Sequence, residues 1–241
     1  MKENRLLIAN WKTYIQDLTT VKNKIEQVNN LLLGAHGVVI CPPSIFLHVL
    51  VDGIKNPNIK VGAQDISTSE SGTGEITASM QKGIGCSYAI IGHSEVRERY
   101  GENNDEVAIK VDIALKYGMV PVICIGENIE VRNSGDHLKF LIDQLIESLP
   151  QGAEQKFIIA YEPIWSIGTG IIPTPHQIEE VISTLKVIPG LKKHQFLYGG
   201  SVNESNIYDI SKIKVLDGVL VGAASTNIAK LAKIYQVLNA L

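Results

Sequence analysis

The stretch Phe157-Ile158-Ile159-Ala160-Tyr161-Glu162-Pro163-Ile164-Trp165-Ser166-Ile167-Gly168-Thr169-Gly170 decides how the chain is read. Its opening residues are apolar, β-branched or aromatic, show no helical period, and stop at an acid followed by proline. That is the pattern of a buried strand with Glu162 at its tip. Glycines at 168 and 170 then loosen the chain before Thr174-Pro175-His176-Gln177. There Thr174 can cap a helix, Pro175 fits its first turn and Gln177 closes a capping box. The order is strand, acid, mobile loop, helix. A glutamate is most often a solvated loop acid; the strand-tip setting makes Glu162 a candidate for chemistry.

Outward from this stretch, apolar runs at 6–9, 38–41, 59–61, 89–91, 120–125, 196–198 and 219–221 join 157–161 as strand candidates. Helical patterns lie between them. Leu18, Val21, Ile25, Val28 and Leu32 share one face, as do Leu138, Leu141, Ile142, Leu145, Ile146 and Leu149. The spacing is that of a repeated βα unit, and no linker or low-complexity tract divides it, so one domain is expected over residues 1–241. Pro121 is tolerable near the start of its strand. Strands apolar on both faces need cover on both, which predicts a parallel sheet, and about eight units let it close into a single (β/α)8 barrel. An open doubly wound sheet is the alternative; against it, Asn10-Trp11-Lys12 rather than GxGxxG follows the first strand.

Composition narrows the function. Among 241 residues, 22 are basic and 25 acidic, for a formal charge of −3 without any Lys/Arg run, which argues against a nucleic-acid or membrane surface. The apolar run near the start is too short for a signal-peptide core or a membrane span, so a cytoplasmic protein is expected. Cys41, Cys86 and Cys124 are widely spaced and read as small buried apolar residues. The six histidines form no HxxxH or HExxH pair, so no metal site is expected.

In such a barrel, chemistry belongs at the carboxyl ends of the strands. The first ends at Asn10-Trp11-Lys12, where a lysine over the mouth would attract an anion. The fourth ends at Gly92-His93-Ser94-Glu95; His93 is as readily a packing residue as an acid or electrophile. Glu127, after the fifth, can be structural. Small residues after the last two strands, Gly199-Gly200-Ser201 and Gly222-Ala223, expose backbone N–H groups suited to a phosphate. A Schiff-base aldolase would want a lysine deep in the barrel, and the sixth strand offers Glu162 instead. Proton abstraction beside a carbonyl in a phosphorylated substrate fits best. Another phosphosugar isomerase or lyase on the same barrel, and a non-catalytic binding protein, are the rival classes.

The motifs Asn10-Trp11-Lys12, Gly92-His93-Ser94-Glu95, Cys124-Ile125-Gly126-Glu127, Ala160-Tyr161-Glu162-Pro163-Ile164-Trp165 and Tyr198-Gly199-Gly200-Ser201-Val202 make the chain resemble the triosephosphate isomerase family from end to end. The resemblance implies a TIM barrel that interconverts dihydroxyacetone phosphate and D-glyceraldehyde 3-phosphate through an enediolate, without a cofactor, in glycolysis and gluconeogenesis. In this family the acid and base groups are a known case of environmental tuning, and their roles come with the resemblance. Glu162 is then the base, and His93, as neutral imidazole beside a helix N-terminus, polarises the carbonyl and shuttles protons. Lys12 offsets anionic charge while Asn10 and Glu95 position the site. Backbone N–H groups of Gly168, Ser201, Gly222 and Ala223 hold the phosphate, and residues 163–173 close as a lid. Thr73-Gly74-Glu75 resembles the loop that reaches into the partner of a homodimer.

Three positions depart from the family pattern. Val96 stands where a basic residue is common, which removes an interface ion pair with Glu75 unless Arg97 or Arg99 replaces it. Ala223 stands where glycine is usual, so its φ should be negative or modestly strained. The far hinge of the lid reads Ile171-Ile172-Pro173, and Pro173 has no N–H to offer the Tyr198 hydroxyl on closure. A latch of about 0.5–1.5 kcal/mol is expected to be missing, partly offset by the stiffness of proline, so that Tyr198→Phe should matter little.

Overall fold

The computed structural model describes residues 4–152, 155–167, 169 and 171–240. Eight strands alternate with helices: β1 (Leu6–Asn10), β2 (Val38–Cys41), β3 (Ile59–Ala63), β4 (Tyr88–Ile91), β5 (Val120–Ile125), β6 (Ile158–Tyr161), β7 (Gln195–Tyr198) and β8 (Gly218–Val221). The α-helices are α1 (Leu18–Leu31), α2 (Leu47–Gly53), α3 (Ala78–Gly83), α4 (Ser94–Tyr100), α5 (Asn104–Lys116), α6 (Ile129–Ser134), α7 (His137–Glu147), α8 (Pro175–Lys186), α9 (Ile207–Ser211) and α10 (Ile228–Asn239). All strands pair in parallel in chain order, and Leu6 opposite Gly218 joins β1 to β8. That pairing closes the barrel and removes the open-sheet alternative.

The continuous apolar runs follow from burial on both sides. Leu6, Ile8, Val39, Ile90, Val122, Ile158, Leu197 and Leu220 pack together in one cluster. Their neighbours Leu7, Ala9, Val38, Ile40, Ile91, Ile123, Ile159 and Phe196 join the helices in a second, larger cluster. Successive strand residues point to opposite faces, so alternate positions fill the barrel and the layer around it. Gly218 fits where little else could: a Cβ there would lie 1.9 Å from the carbonyl oxygen of Leu6. Pro121 is the second residue of β5, close to its start as expected.

Local signals explain the helix starts. Thr174 caps α8 by accepting the N–H of Gln177 at 3.2 Å, and the Gln177 side chain returns the bond to the Thr174 N–H at 2.8 Å. Helix faces are less faithful to their periodicity. Val21, Ile25, Val28 and Leu32 are buried, but Leu18 is 45% exposed, because phase selects a face without saying how much of the helix is covered. In α7, Leu141 and Leu145 are buried while Ile146 is 53% exposed; at about 100° per residue it lies on the flank of the stripe. All three cysteines are buried free thiols. Among the described residues, no helix is long and apolar enough to cross a membrane.

At the amino-terminal end of the barrel, the His194 ring stacks on Phe157, with centroids 3.6 Å apart and planes 13° apart. Nδ1 lies 3.2 Å from the Phe157 carbonyl oxygen. Burial lowers the imidazole pKa below its usual 6.5, and the neighbouring Lys193 charge acts in the same direction. The unfolded ring therefore binds its proton more readily than the folded one. Stability tied to the neutral ring is complete above the unfolded value and is lost as pH falls below it. The melting temperature is expected to drop between pH 7 and pH 5, and His194→Phe, which keeps the stack, should flatten that drop in calorimetry. Parallel profiles would show that His194 contributes nothing to it.

Candidate active site

The tip of β1 is under strain. Lys12 has φ 44°, the one positive value among the described non-glycine residues, and this conformation costs a side chain about 1–2 kcal/mol. Two side chains clamp it. Asn10 Oδ1 accepts the Lys12 N–H at 3.0 Å, and Gln64 Nε2 donates to the Lys12 carbonyl at 2.8 Å and to that of Cys41 at 3.0 Å. The clamp directs the ammonium across the mouth, where Nζ donates to Glu95 Oε1 at 2.8 Å. Burial works to raise the Glu95 carboxyl pKa, but the Lys12 bond and charge, with His93 and Arg99 nearby, outweigh it and hold the carboxyl below its ordinary range.

At the end of β4, His93 is the N-cap of α4, and its Nδ1 accepts the Glu95 N–H at 3.1 Å. With Nδ1 occupied as an acceptor, the proton of a neutral ring sits on Nε2. Nε2 lies 3.3 Å from Glu162 Oε1, and the other carboxylate oxygen accepts the Ser94 N–H at 3.1 Å. Glu162 is only 2% exposed and His93 6%. Glu162 is therefore no solvated loop acid. Burial, and then the charge of Glu162, push the Cys124 thiol well above its ordinary pKa. Gly126 allows the two strand tips to meet, since a Cβ there would lie 1.8 Å from the Glu162 carbonyl oxygen. Its N–H is held by Gln144 Oε1 at 2.9 Å.

Glu127 is structural. It is fully buried and accepts from Tyr161 Oη and Trp165 Nε1, each at 2.9 Å. Arg132 lies 3.7 Å away and stands over the Trp165 ring. The first residues after Glu162 are thus tethered to β5 and α6. Burial, then the Glu127 charge, push the Tyr161 phenol upward.

The small-residue turns complete the mouth. Gly222, with φ −83°, precedes a short 3-10 turn over Ala223–Thr226, and the φ of Ala223 is negative. The Trp11 indole donates to the Ser225 carbonyl at 3.2 Å, tying the β1 tip to the β8 turn. A cavity of about 530 Å³ is lined by Asn10, Lys12, His93, Glu95, Glu162, Ser201, Gly222 and Ala223, among others. These are the residues singled out from the sequence, with one exception: Gly168 lies outside the described residues. A second cavity, about 740 Å³, shares Lys12, His93 and Glu95 with the first and extends past Val96 and Arg99 to Gly74 and Glu75.

Some partners escaped the sequence. Gln64 directly follows β3, so the strand-tip rule would have found it; the Ser94 N–H and Gln144 carry no such signal. Arg97 does not take over the role lost at Val96. It is committed internally, donating to the Gly92 carbonyl and to Asn104 at 2.8 Å and to Ser148 at 3.2 Å, and so is not free to replace a basic residue at 96.

The fold and this site define a (β/α)8-barrel enzyme with acid–base groups gathered at the carboxyl ends of its strands. A family model described as triosephosphate isomerase matches residues 5–238. A triosephosphate isomerase of Ehrlichia chaffeensis is 39% identical over 234 residues, 95% of each chain, and that of Gloeothece citriformis 37% identical over 237 residues, 95% of this chain and 97% of the relative. The crystal structure of triosephosphate isomerase from Bartonella henselae superposes with a TM-score of 0.87 at 32% identity, covering 98% of this chain and 99% of that one. The chain belongs to the triosephosphate isomerase family, and as an isomerase it interconverts triose phosphates.

Proposed function

We propose that Glu162 takes a proton from C1 of dihydroxyacetone phosphate while His93 Nε2–H donates to the C2 oxygen, giving an enediolate. Glu162 then returns a proton to C2, and His93 moves one from the C1 oxygen, leaving D-glyceraldehyde 3-phosphate. The observation that carries this is the buried Glu162 carboxylate, held by the Ser94 N–H and 3.3 Å from His93 Nε2. A desolvated base aimed into a cavity is strong toward a carbon acid. Lys12 offsets the substrate's negative charge, Asn10 and Glu95 position Lys12, and the N–H groups of Gly168, Ser201, Gly222 and Ala223 receive the phosphate. Residues 163–173 close over the intermediate and exclude water. No cofactor takes part. In deuterium oxide, dihydroxyacetone phosphate should acquire deuterium at C1 in the presence of the enzyme. Turnover without any exchange would overturn the proton-transfer scheme.

The same proposal places the chain, as one domain over residues 1–241, in the cytoplasm, serving glycolysis and gluconeogenesis as a homodimer. Support for the dimer is the 740 Å³ cavity beside the active site, which the Thr73-Gly74-Glu75 loop of a second copy would enter. Arg99 is the candidate cation for the partner's Glu75. It is one helical turn beyond Val96 on α4, lines the same cavity, and has no ion pair among the described residues. With one such rim pair of about 0.2–1 kcal/mol on each side of the two-fold axis, Arg99→Ala removes both and should raise the dimer dissociation constant roughly 2–30-fold in sedimentation. An unchanged constant would remove Arg99 from the interface.

A further inference from the structure

Ser166 and Tyr198 are both fully buried, and neither hydroxyl has a hydrogen-bond partner among the described residues. Buried polar groups are rarely left so, because each forfeits its bonds to water. The two belong to segments that already touch. Ser166 ends the 3-10 turn Ile164–Ser166 that follows Glu162, and its carbonyl accepts the Ser201 hydroxyl at 3.1 Å. Tyr198 is the last residue of β7, three positions before Ser201, and its Oη is fixed above Gly200, where an added Cβ would come within 2.3 Å. Burial raises the phenol pKa to about 12, and the Ser166 hydroxyl acts the opposite way. That opposite action marks the two hydroxyls as neighbours, although no hydrogen bond of good geometry joins them in this conformation.

We infer that Ser166 Oγ and Tyr198 Oη form a hydrogen bond when residues 163–173 close, so that Ser166 is a positioning residue for the lid. Either hydroxyl can donate, and one bond satisfies both. The inference rests on the proposal that this segment is a lid, and it alters one expectation. Pro173 cannot supply an N–H to Tyr198 from the far hinge, but a hydroxyl from the near hinge can take that place. Tyr198→Phe is then no longer silent.

The test is a double-mutant cycle on the full-length enzyme, with Ser166→Ala, Tyr198→Phe and the pair. It reads kcat/KM for D-glyceraldehyde 3-phosphate, inorganic phosphate released per turnover by elimination, and the Trp165 fluorescence change on adding glycerol 3-phosphate. Each single variant should lower kcat/KM about 2–10-fold and raise phosphate release, and the pair should be no worse than either. Ser166→Thr, which keeps the hydroxyl, should recover most of the loss. Multiplying effects in the pair, or singles without effect, would overturn the bond. Fluorescence that responds in wild type and identically in the variants, with unchanged phosphate release, would overturn it while leaving the lid intact. No response in wild type would remove the lid and the bond together.

Discussion

Glu162→Gln should lower kcat by about 10³–10⁴-fold, the upper part of what a positioned general base contributes, while the protein stays folded. The amide has nearly the shape of the carboxylate, and its oxygen can still accept the Ser94 N–H that meets Glu162 at 3.1 Å. What it loses is the basic lone pair that receives the substrate proton. Its NH2 group would also face His93 Nε2, which is 3.3 Å from the carboxylate in the native site, so a change of KM of a few-fold is expected beside the large change in kcat. Deuterium exchange into dihydroxyacetone phosphate should fall in parallel with turnover, because both run through one enediolate. The burial that makes Glu162 effective also couples it to Cys124, and removing its charge should bring the thiol pKa down from its raised position. Turnover within tenfold of wild type would remove Glu162 from the chemistry.

Much of this site was legible in the chain because barrel geometry turns sequence position into spatial position. Once β1, β4, β6, β7 and β8 are recognised as apolar runs, the residues just past them must meet at one mouth, which is where Lys12, His93, Glu162, Ser201 and Gly222 stand. Partners chosen by packing were not legible. Periodicity placed Ile146 with Leu145, yet it lies on the flank of the α7 stripe and stays 53% exposed. Arg97 and Arg99 look alike in sequence; only the folded loop shows that the Gly92 carbonyl, Asn104 and Ser148 occupy the first. The missing N–H of Pro173 could be read from the sequence, whereas the proximity of Ser166 to Tyr198 depends on the turn between residues 164 and 166.

Lys12→Ala tests the other half of the site, the half that handles charge. Alanine bears the same left-handed backbone penalty as lysine at φ 44°, so the comparison isolates the ammonium. Its loss should lower kcat/KM for D-glyceraldehyde 3-phosphate about 10²–10³-fold, within the ~2–5 kcal/mol seen when one partner of a desolvated charge pair is removed. Unphosphorylated glyceraldehyde should lose far less, since it brings no dianion for Lys12 to neutralise. A purely structural role for Lys12 would depress both substrates alike. Glu95 provides a second measurement, independent of turnover. In the native protein its depressed pKa contributes stability that is present above its ordinary value of 4.5 and lost as pH falls through the folded value. Without the Lys12 ammonium at 2.8 Å, burial acts against the carboxylate with little opposition, so its pKa should rise. The variant should therefore show a shallower loss of stability on acidification than the wild type, together with its failure to discriminate in favour of the phosphorylated triose. Equal losses on both trioses would mean that Lys12 does not meet the dianion, and an acid limb identical to that of the wild type would mean that it does not govern Glu95.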